Sequence, residues 1–333
     1  MSIGTAVVGC GNFARAVHLP NLKKLSDYVL KAAADTNAEA AEAAKGFGAA
    51  YTTTDYQRVL NDPSIDLVII CTPHFQHASM ALEAVNAGKH VLVEKPMATK
   101  LEEIGPLVDA VRRKGITFTV GFNRRYSFLA QKARQLLAGR KYPLLLVYRM
   151  VDEIWRHPWA LDPEIGGGRI ISEAVHLFDF CAYMVGAEPV RISAEGGALT
   201  HPEIPGTQDN AVMTLSFADG SIASLTIGDL GNADYPKERI ELFSGERTIL
   251  IDNFQRLEAY GFDEEREISL PEADKGFIQE LTELANAIRD HSPAPITEID
   301  GARATLCALK AIEAMRTGKA QALQPAEYMG SPG

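Results

Sequence analysis

No stretch of this 333-residue chain approaches the ~18 consecutive apolar residues that cross a bilayer, so a membrane span is not expected. Cysteine is scarce. Cys10, Cys71, Cys181 and Cys307 lie far apart, with no Cys-x-x-Cys pair and no Cys/His cluster at zinc spacing. A disulfide framework and a structural metal are therefore not expected, and the thiols read as reduced and buried in a cytoplasmic protein. Basic charge is also short: 33 Lys and Arg face 43 Asp and Glu, for a net −10. Such a chain repels phosphate backbones and anionic lipid, so neither nucleic acid nor a membrane surface is an expected partner. The N-terminus lacks a basic lead, and its apolar run at 3–8 is too short for a signal sequence, so export is not expected. No internal repeat stands out, and the tail 330–333 is expected to be disordered.

What is present is ordinary globular material, 46% hydrophobic and 23% charged, enough for two cores. Apolar strands at 3–8, 28–34, 65–71, 90–94 and 116–121 alternate with helical patterns at 13–25, 38–47, 76–87 and 101–114. That alternation predicts a parallel sheet covered on both faces. After about residue 121 the rhythm changes. A helix at 128–138 and a strand at 144–151 precede a glycine run, and a helix follows at 170–184. Strands then succeed one another at 211–217, 221–228, 239–243, 248–252 and 255–260, before closing helices at 277–289 and 301–317. Asp219-Gly220 reads as a two-residue hairpin turn. The expected fold is α/β in residues 1–121, a dinucleotide-binding Rossmann domain, and mostly antiparallel α+β in 122–333, a substrate-binding and oligomerisation domain.

Gly9-Cys10-Gly11-Asn12-Phe13-Ala14 follows the first strand and opens a helix, and Asp35 ends the second strand 21 residues after Ala14. Gly9 permits the turn, Gly11 admits a pyrophosphate, and Ala14 lets the helix pack closely. Asp35 would accept the adenosine ribose hydroxyls. Cys71-Thr72-Pro73-His74, with His77 a turn later, ends another strand; Thr72 reads equally as a helix cap and as a cofactor contact. Glu94-Lys95-Pro96 places a charged pair at the end of a buried strand. A lysine there could polarise a substrate oxygen, or the pair could be a surface loop. In the second part, Gly166-Gly167-Gly168 leads to Ser172, Glu173, His176 and Asp179. A histidine with carboxylates at −3 and +3 is an acid/base candidate, and a lone helical histidine is more often structural. Arg124 lies on the expected ligand side. Trp155 suits sugar-ring contact or a packed loop, and Tyr235 lies in a polar loop.

Together these pieces resemble the glucose–fructose oxidoreductase/inositol dehydrogenase (Gfo/Idh/MocA) family over nearly the whole chain. The most specific stretches run from Cys71-Thr72-Pro73 to Gly88-Lys89-His90-Val91-Leu92-Val93-Glu94-Lys95-Pro96, and from Gly166-Gly167-Gly168 to His176 and Asp179. The resemblance implies a large open sheet in the second domain and NAD as cofactor. It implies hydride transfer at a sugar or cyclitol hydroxyl, and a homodimer or homotetramer. It makes Lys95 and His176 catalytic. It puts Gly9, Gly11, Asn12, Phe13, Asp35, Thr72, His74, His77, Glu94 and Lys95 against the cofactor, and Arg124 near the substrate; Trp155, Ser172, Glu173 and Tyr235 complete the expected substrate side. Ser172 departs from the aspartate that the family commonly places four residues before its histidine; either Glu173 replaces it, or Glu173 makes a distant salt bridge and Ser172 opens space for a larger substrate. Two other readings stand beside this one: a dehydrogenase of nucleotide-linked or glycosidic sugars with tightly held cofactor, and a non-catalytic NAD- or sugar-sensing protein.

Overall fold

In the computed structural model, residues 2–263 and 266–329 are described; the tail 330–333 lies outside them. The chain forms two compact units. One comprises Met1–Phe122, Phe277–Arg303 and Ala326–Gly333, the other Asn123–Gly276 and Ala304–Pro325. A split at 121/122 that leaves all of 122–333 in the second domain is therefore corrected. Residues 277–303 return to the first unit, because the helix Phe277–Arg289 buries Leu281, Leu284, Ala285 and Ile288 in the same core as Ile3, Val7, Leu67 and Leu92.

In the first unit, β1 (Ile3–Val8), β2 (Tyr28–Ala34), β3 (Tyr51–Thr53), β4 (Leu67–Ile70), β5 (His90–Val93) and β6 (Phe118–Val120) form one parallel sheet. Its order is β3-β2-β1-β4-β5-β6. The chain reverses direction across the sheet between β1 and β4, and a doubly wound sheet opens a crevice beyond its carboxyl edge at that point. β1, β4 and β5 are buried along almost their whole length, as strands covered on both faces must be.

The second unit is built on β7 (Leu145–Val151), β8 (Pro189–Gly197), β9 (Asn210–Phe217), β10 (Ile222–Gly228), β11 (Glu238–Ser244), β12 (Arg247–Asp252), β13 (Arg256–Tyr260), β14 (Glu267–Ser269) and β15 (Gln321–Ala322). The order is β14-β13-β12-β11-β7-β10-β9-β8-β15, and β7–β10 is the parallel pair among antiparallel ones. β3, β8, β14 and β15 were not anticipated. Three of them have only two or three residues, and β8 opens on proline and ends in two glycines. The expected two-residue hairpin has a longer loop: Ile222 pairs with Ser216, and Gly220 sits at φ 85°. A glycine in left-handed conformation after a tight turn is the usual closure of a three-residue loop. The helix Val175–Val185 is buried at every position except Tyr183, so it is a core helix rather than an amphipathic one.

Candidate active site

In the first unit the candidate residues collect on the carboxyl edge of the sheet. Gly9 leaves β1 at φ 86°, and a Cβ there would lie 2.6 Å from the Cys71 carbonyl. Only glycine lets the β1 and β4 ends come this close. A Cβ on Gly11 would meet no atom within 4 Å, so the turn is open where a pyrophosphate would approach. Burial pushes the Cys10 thiol between them up to about 12, so it is a neutral packing group. The expected helix at 13–25 forms in two pieces, a wide turn over Ala14–His18 and an α-helix over Leu19–Lys24. Pro20 lies in its first turn and has no N–H for the preceding turn, which favours a change of register there. Asn12 accepts a bond from Arg15, and Phe13 is exposed.

Asp35 follows β2. Its Oδ2 accepts the Cys10 N–H at 2.7 Å and its Oδ1 the Asn37 N–H at 2.8 Å. Each oxygen keeps a further lone pair, enough to accept a ribose diol. Thr72 does not cap the following helix. No side-chain cap bond is made there, and its buried hydroxyl has no hydrogen-bond partner. An orphaned hydroxyl beside an open glycine turn fits a dinucleotide laid along this edge.

His74 is buried, with its ring edge-on to His77 at 5.5 Å. His77 was expected to touch the cofactor, and its ring has another task. Nδ1 faces the Pro96 carbonyl at 2.7 Å and Nε2 the Thr72 carbonyl at 2.8 Å, with the residue 1% exposed. Burial holds its pKa below the ordinary value. Glu94 is also buried. Its Oε1 meets His18 Nε2 at 2.8 Å, and its Oε2 accepts the Lys95 N–H at 3.3 Å. Lys95 is half-buried at the end of β5, and the Lys95–Pro96 peptide is cis. The sheet edge thus presents Gly9, Asp35, Thr72, Glu94 and Lys95 from β1, β2, β4 and β5.

In the second unit, Gly167 and Gly168 take positive φ and lead into a wide turn over Ile170–Ala174, which runs into the core helix. Ser172, Glu173, His176 and Asp179 are all buried. The three-residue spacing between Glu173 and His176 spans the junction of the wide turn with the α-helix. Both carboxylates that flank His176 in sequence carry a cation. Glu173 meets Lys237 Nζ at 3.0 Å, and Asp179 is bound bidentately by Arg125. Lys237 also meets Asp152 at 2.8 Å. Burial opposes its charge, but Glu173 and Asp152 outweigh it and raise the pKa.

Arg124 was expected at the substrate. Its Nε and Nη2 are held by Glu238 at 2.7 and 3.0 Å, and Glu238 also takes the Tyr148 hydroxyl at 2.5 Å and Lys275 at 2.9 Å. Burial alone would raise Glu238, but Arg124 and Lys275 hold it at about 2. Two of the three guanidinium nitrogens are therefore committed to the protein. Trp155 is half-buried, with the Arg169 guanidinium 4.5 Å from its ring, its N–H on Asp229 and its carbonyl on His201. Tyr235 is 60% exposed under Arg149. His18, Lys237, Glu238 and Arg169 escaped the sequence reading. No local motif marks His18, Lys237 or Glu238, because their partners Glu94, Glu173 and Arg124 lie 76, 64 and 114 residues away.

Residues 3–122 match a family model described as the oxidoreductase family with an NAD-binding Rossmann fold, and residues 132–250 match the GFO/IDH/MocA C-terminal domain. The chain is 28% identical over 335 residues to the uncharacterized oxidoreductase YrbE of Bacillus subtilis (strain 168), covering 98% of each. It is 25% identical over 332 residues to the myo-inositol 2-dehydrogenase of Thermotoga maritima, covering 96% of this chain and 98% of that one. A levoglucosan dehydrogenase in complex with NADH and levoglucosan superposes with a TM-score of 0.85 at 23% identity, over 97% of this chain and 99% of the other.

Proposed function

Since the chain belongs to the GFO/IDH/MocA oxidoreductase family, we propose that it oxidises a ring hydroxyl of a sugar or cyclitol, or reduces the matching ketone, with NAD. The bound nicotinamide supplies the hydride acceptor or donor. Gly9, Gly11 and Thr72 would hold the dinucleotide, Asn12 and Phe13 would border it, and Asp35 would accept its ribose hydroxyls. Lys95 stabilises the oxygen as negative charge develops on it. A ring nitrogen of His176 takes the hydroxyl proton in oxidation and returns it in reduction. Ser172, Glu173 and Trp155 belong to the substrate side, with Arg124 and Tyr235 at its margin.

The observation that carries this reading is the sheet edge itself, where a permissive glycine turn, an unpartnered threonine hydroxyl and a half-buried lysine share one side of the crossover point. The cyclitol and anhydrosugar named for the relatives set the substrate class. A panel of sugars, cyclitols and glycosides followed by nicotinamide absorbance tests it. Turnover is expected on ring polyols, and none on any member would contradict the proposal. The protein is further proposed to be cytoplasmic. It is also proposed to assemble as a homodimer or homotetramer through the outer sheet face, where Leu145, Val212 and Ile222 are exposed.

A further inference from the structure

The backbone on either side of the Lys95 side chain is held by buried groups, and two of them, His18 and His77, lie outside its motif. His18 ends the wide turn that opens on the glycine fingerprint, is 1% exposed, and reaches Glu94 across 76 residues of sequence. Glu94 accepts the N–H of Lys95 through its other oxygen. Beyond the lysine, His77 reaches the Pro96 carbonyl. The Glu94 carboxylate also dictates a residue on a third strand end. A Cβ on Gly121 would fall 2.7 Å from Oε1 and 2.9 Å from Oε2, so only glycine leaves the carboxylate where it is.

This arrangement is a poor way to gain stability. A buried acid–imidazole pair recovers little beyond its desolvation, and apolar side chains of the same volume would do as well. Nδ1 of His18 is buried without a hydrogen-bond partner, a further cost. The tautomer with its proton on Nε2 leaves only a lone pair unmatched, and it points that N–H at Glu94. What the pair supplies is position. From it, and on the reading that Lys95 acts on the substrate oxygen, we propose that His18 is a positioning residue. Through Glu94 it ties the dinucleotide-fingerprint helix to the backbone of Lys95, so that the turn receiving the cofactor and the lysine serving the chemistry are set as one piece. Phe13, exposed on the fingerprint turn, lies edge-on to the His18 ring at 5.5 Å, which extends the link toward the cofactor surface.

The test compares His18→Leu, His18→Gln and Gly121→Ala with the unaltered protein. Gln keeps an N–H for Glu94, and Ala at 121 displaces the carboxylate without touching His18. Two quantities are read beside the melting temperature: kcat and KM for NAD, and the pH profile of Lys95 acetylation by acetic anhydride in the cofactor-free protein, followed by mass spectrometry. His18→Leu and Gly121→Ala should lower kcat about tenfold or more, the scale of a misplaced catalytic group. KM for NAD should stay within about twofold. Both should shift the Lys95 labelling profile, and His18→Gln should restore part of each effect. An unchanged labelling profile in all the folded variants would overturn the proposal, as would a kcat loss that merely follows the melting temperature. If His18→Leu does not fold, the contrast between His18→Gln and Gly121→Ala decides. A protein that turns over no ring polyol would sink the proposed function, and the labelling profile would still decide the role of His18.

Discussion

Asp35 fixes the glycine turn with one oxygen and the start of the next helix with the other, and its negative charge stands where a 2′-phosphate would be placed. NAD should therefore be preferred to NADP in kcat/KM. Equal values, or a preference for NADP, would remove the ribose role from Asp35. Glu173 presents a different case. Its Oε2 meets Lys237 at 3.0 Å, so Glu173→Gln should mainly lower the melting temperature. Its effect on kcat should stay below the ~10²-fold of a lost general acid or base, and a larger fall with stability intact would return Glu173 to the proton-transfer machinery. The glycine motif, Asp35 and Lys95 were readable because strand, turn and helix lie within one short stretch. His18–Glu94 and Arg124–Glu238 were not, because a pair separated by 76 or 114 residues leaves no periodicity to read.

β11 begins on Glu238, whose fully buried carboxylate takes Arg124, Tyr148 and Lys275 together. Removing it strands the cations and a hydroxyl in the core, so Glu238→Ala should cost about 3–5 kcal/mol in chemical denaturation. A loss below about 1 kcal/mol would mean that water already screens the cluster. Strand existence was legible in β7 and in β9 to β13, where alternating apolar residues met the inner face of the sheet. β9 carries Ala211, Met213, Leu215 and Phe217 inward and Val212 and Thr214 outward, as its pattern implied. The helix that opens on the fingerprint and the one that carries His176 were legible only as helices. Their wide first turns depend on how each meets its unit, through Pro20 in one and the glycine run in the other.

The two units each own a core, and the return of Phe277–Arg289 to the first could not be seen in composition, since an amphipathic helix fits either core. Acid sensitivity follows from the buried groups as a set. Burial lowers His77 and His90 below their ordinary 6.5. Each thus binds more protons unfolded than folded, and stability should begin to fall as pH drops below about 6.5. Glu238, held at about 2 in the fold against an ordinary 4.5, adds stability that is lost from pH 4.5 down to that value. The melting temperature should accordingly decline between pH 7.5 and 5, and a flat profile would contradict the burial argument. Light scattering should give a dimer or tetramer mass, and a monomer at working concentration would refute assembly through the outer sheet face. The role proposed for Lys95 is chemistry on a substrate whose hydride exchanges with NAD at the edge of the first sheet. It is tested most directly by Lys95→Ala, measured for turnover on the best ring polyol and for NAD affinity. Turnover should vanish while the melting temperature is kept and NAD still binds. Retained turnover, or a variant that no longer folds, would contradict that account of Lys95.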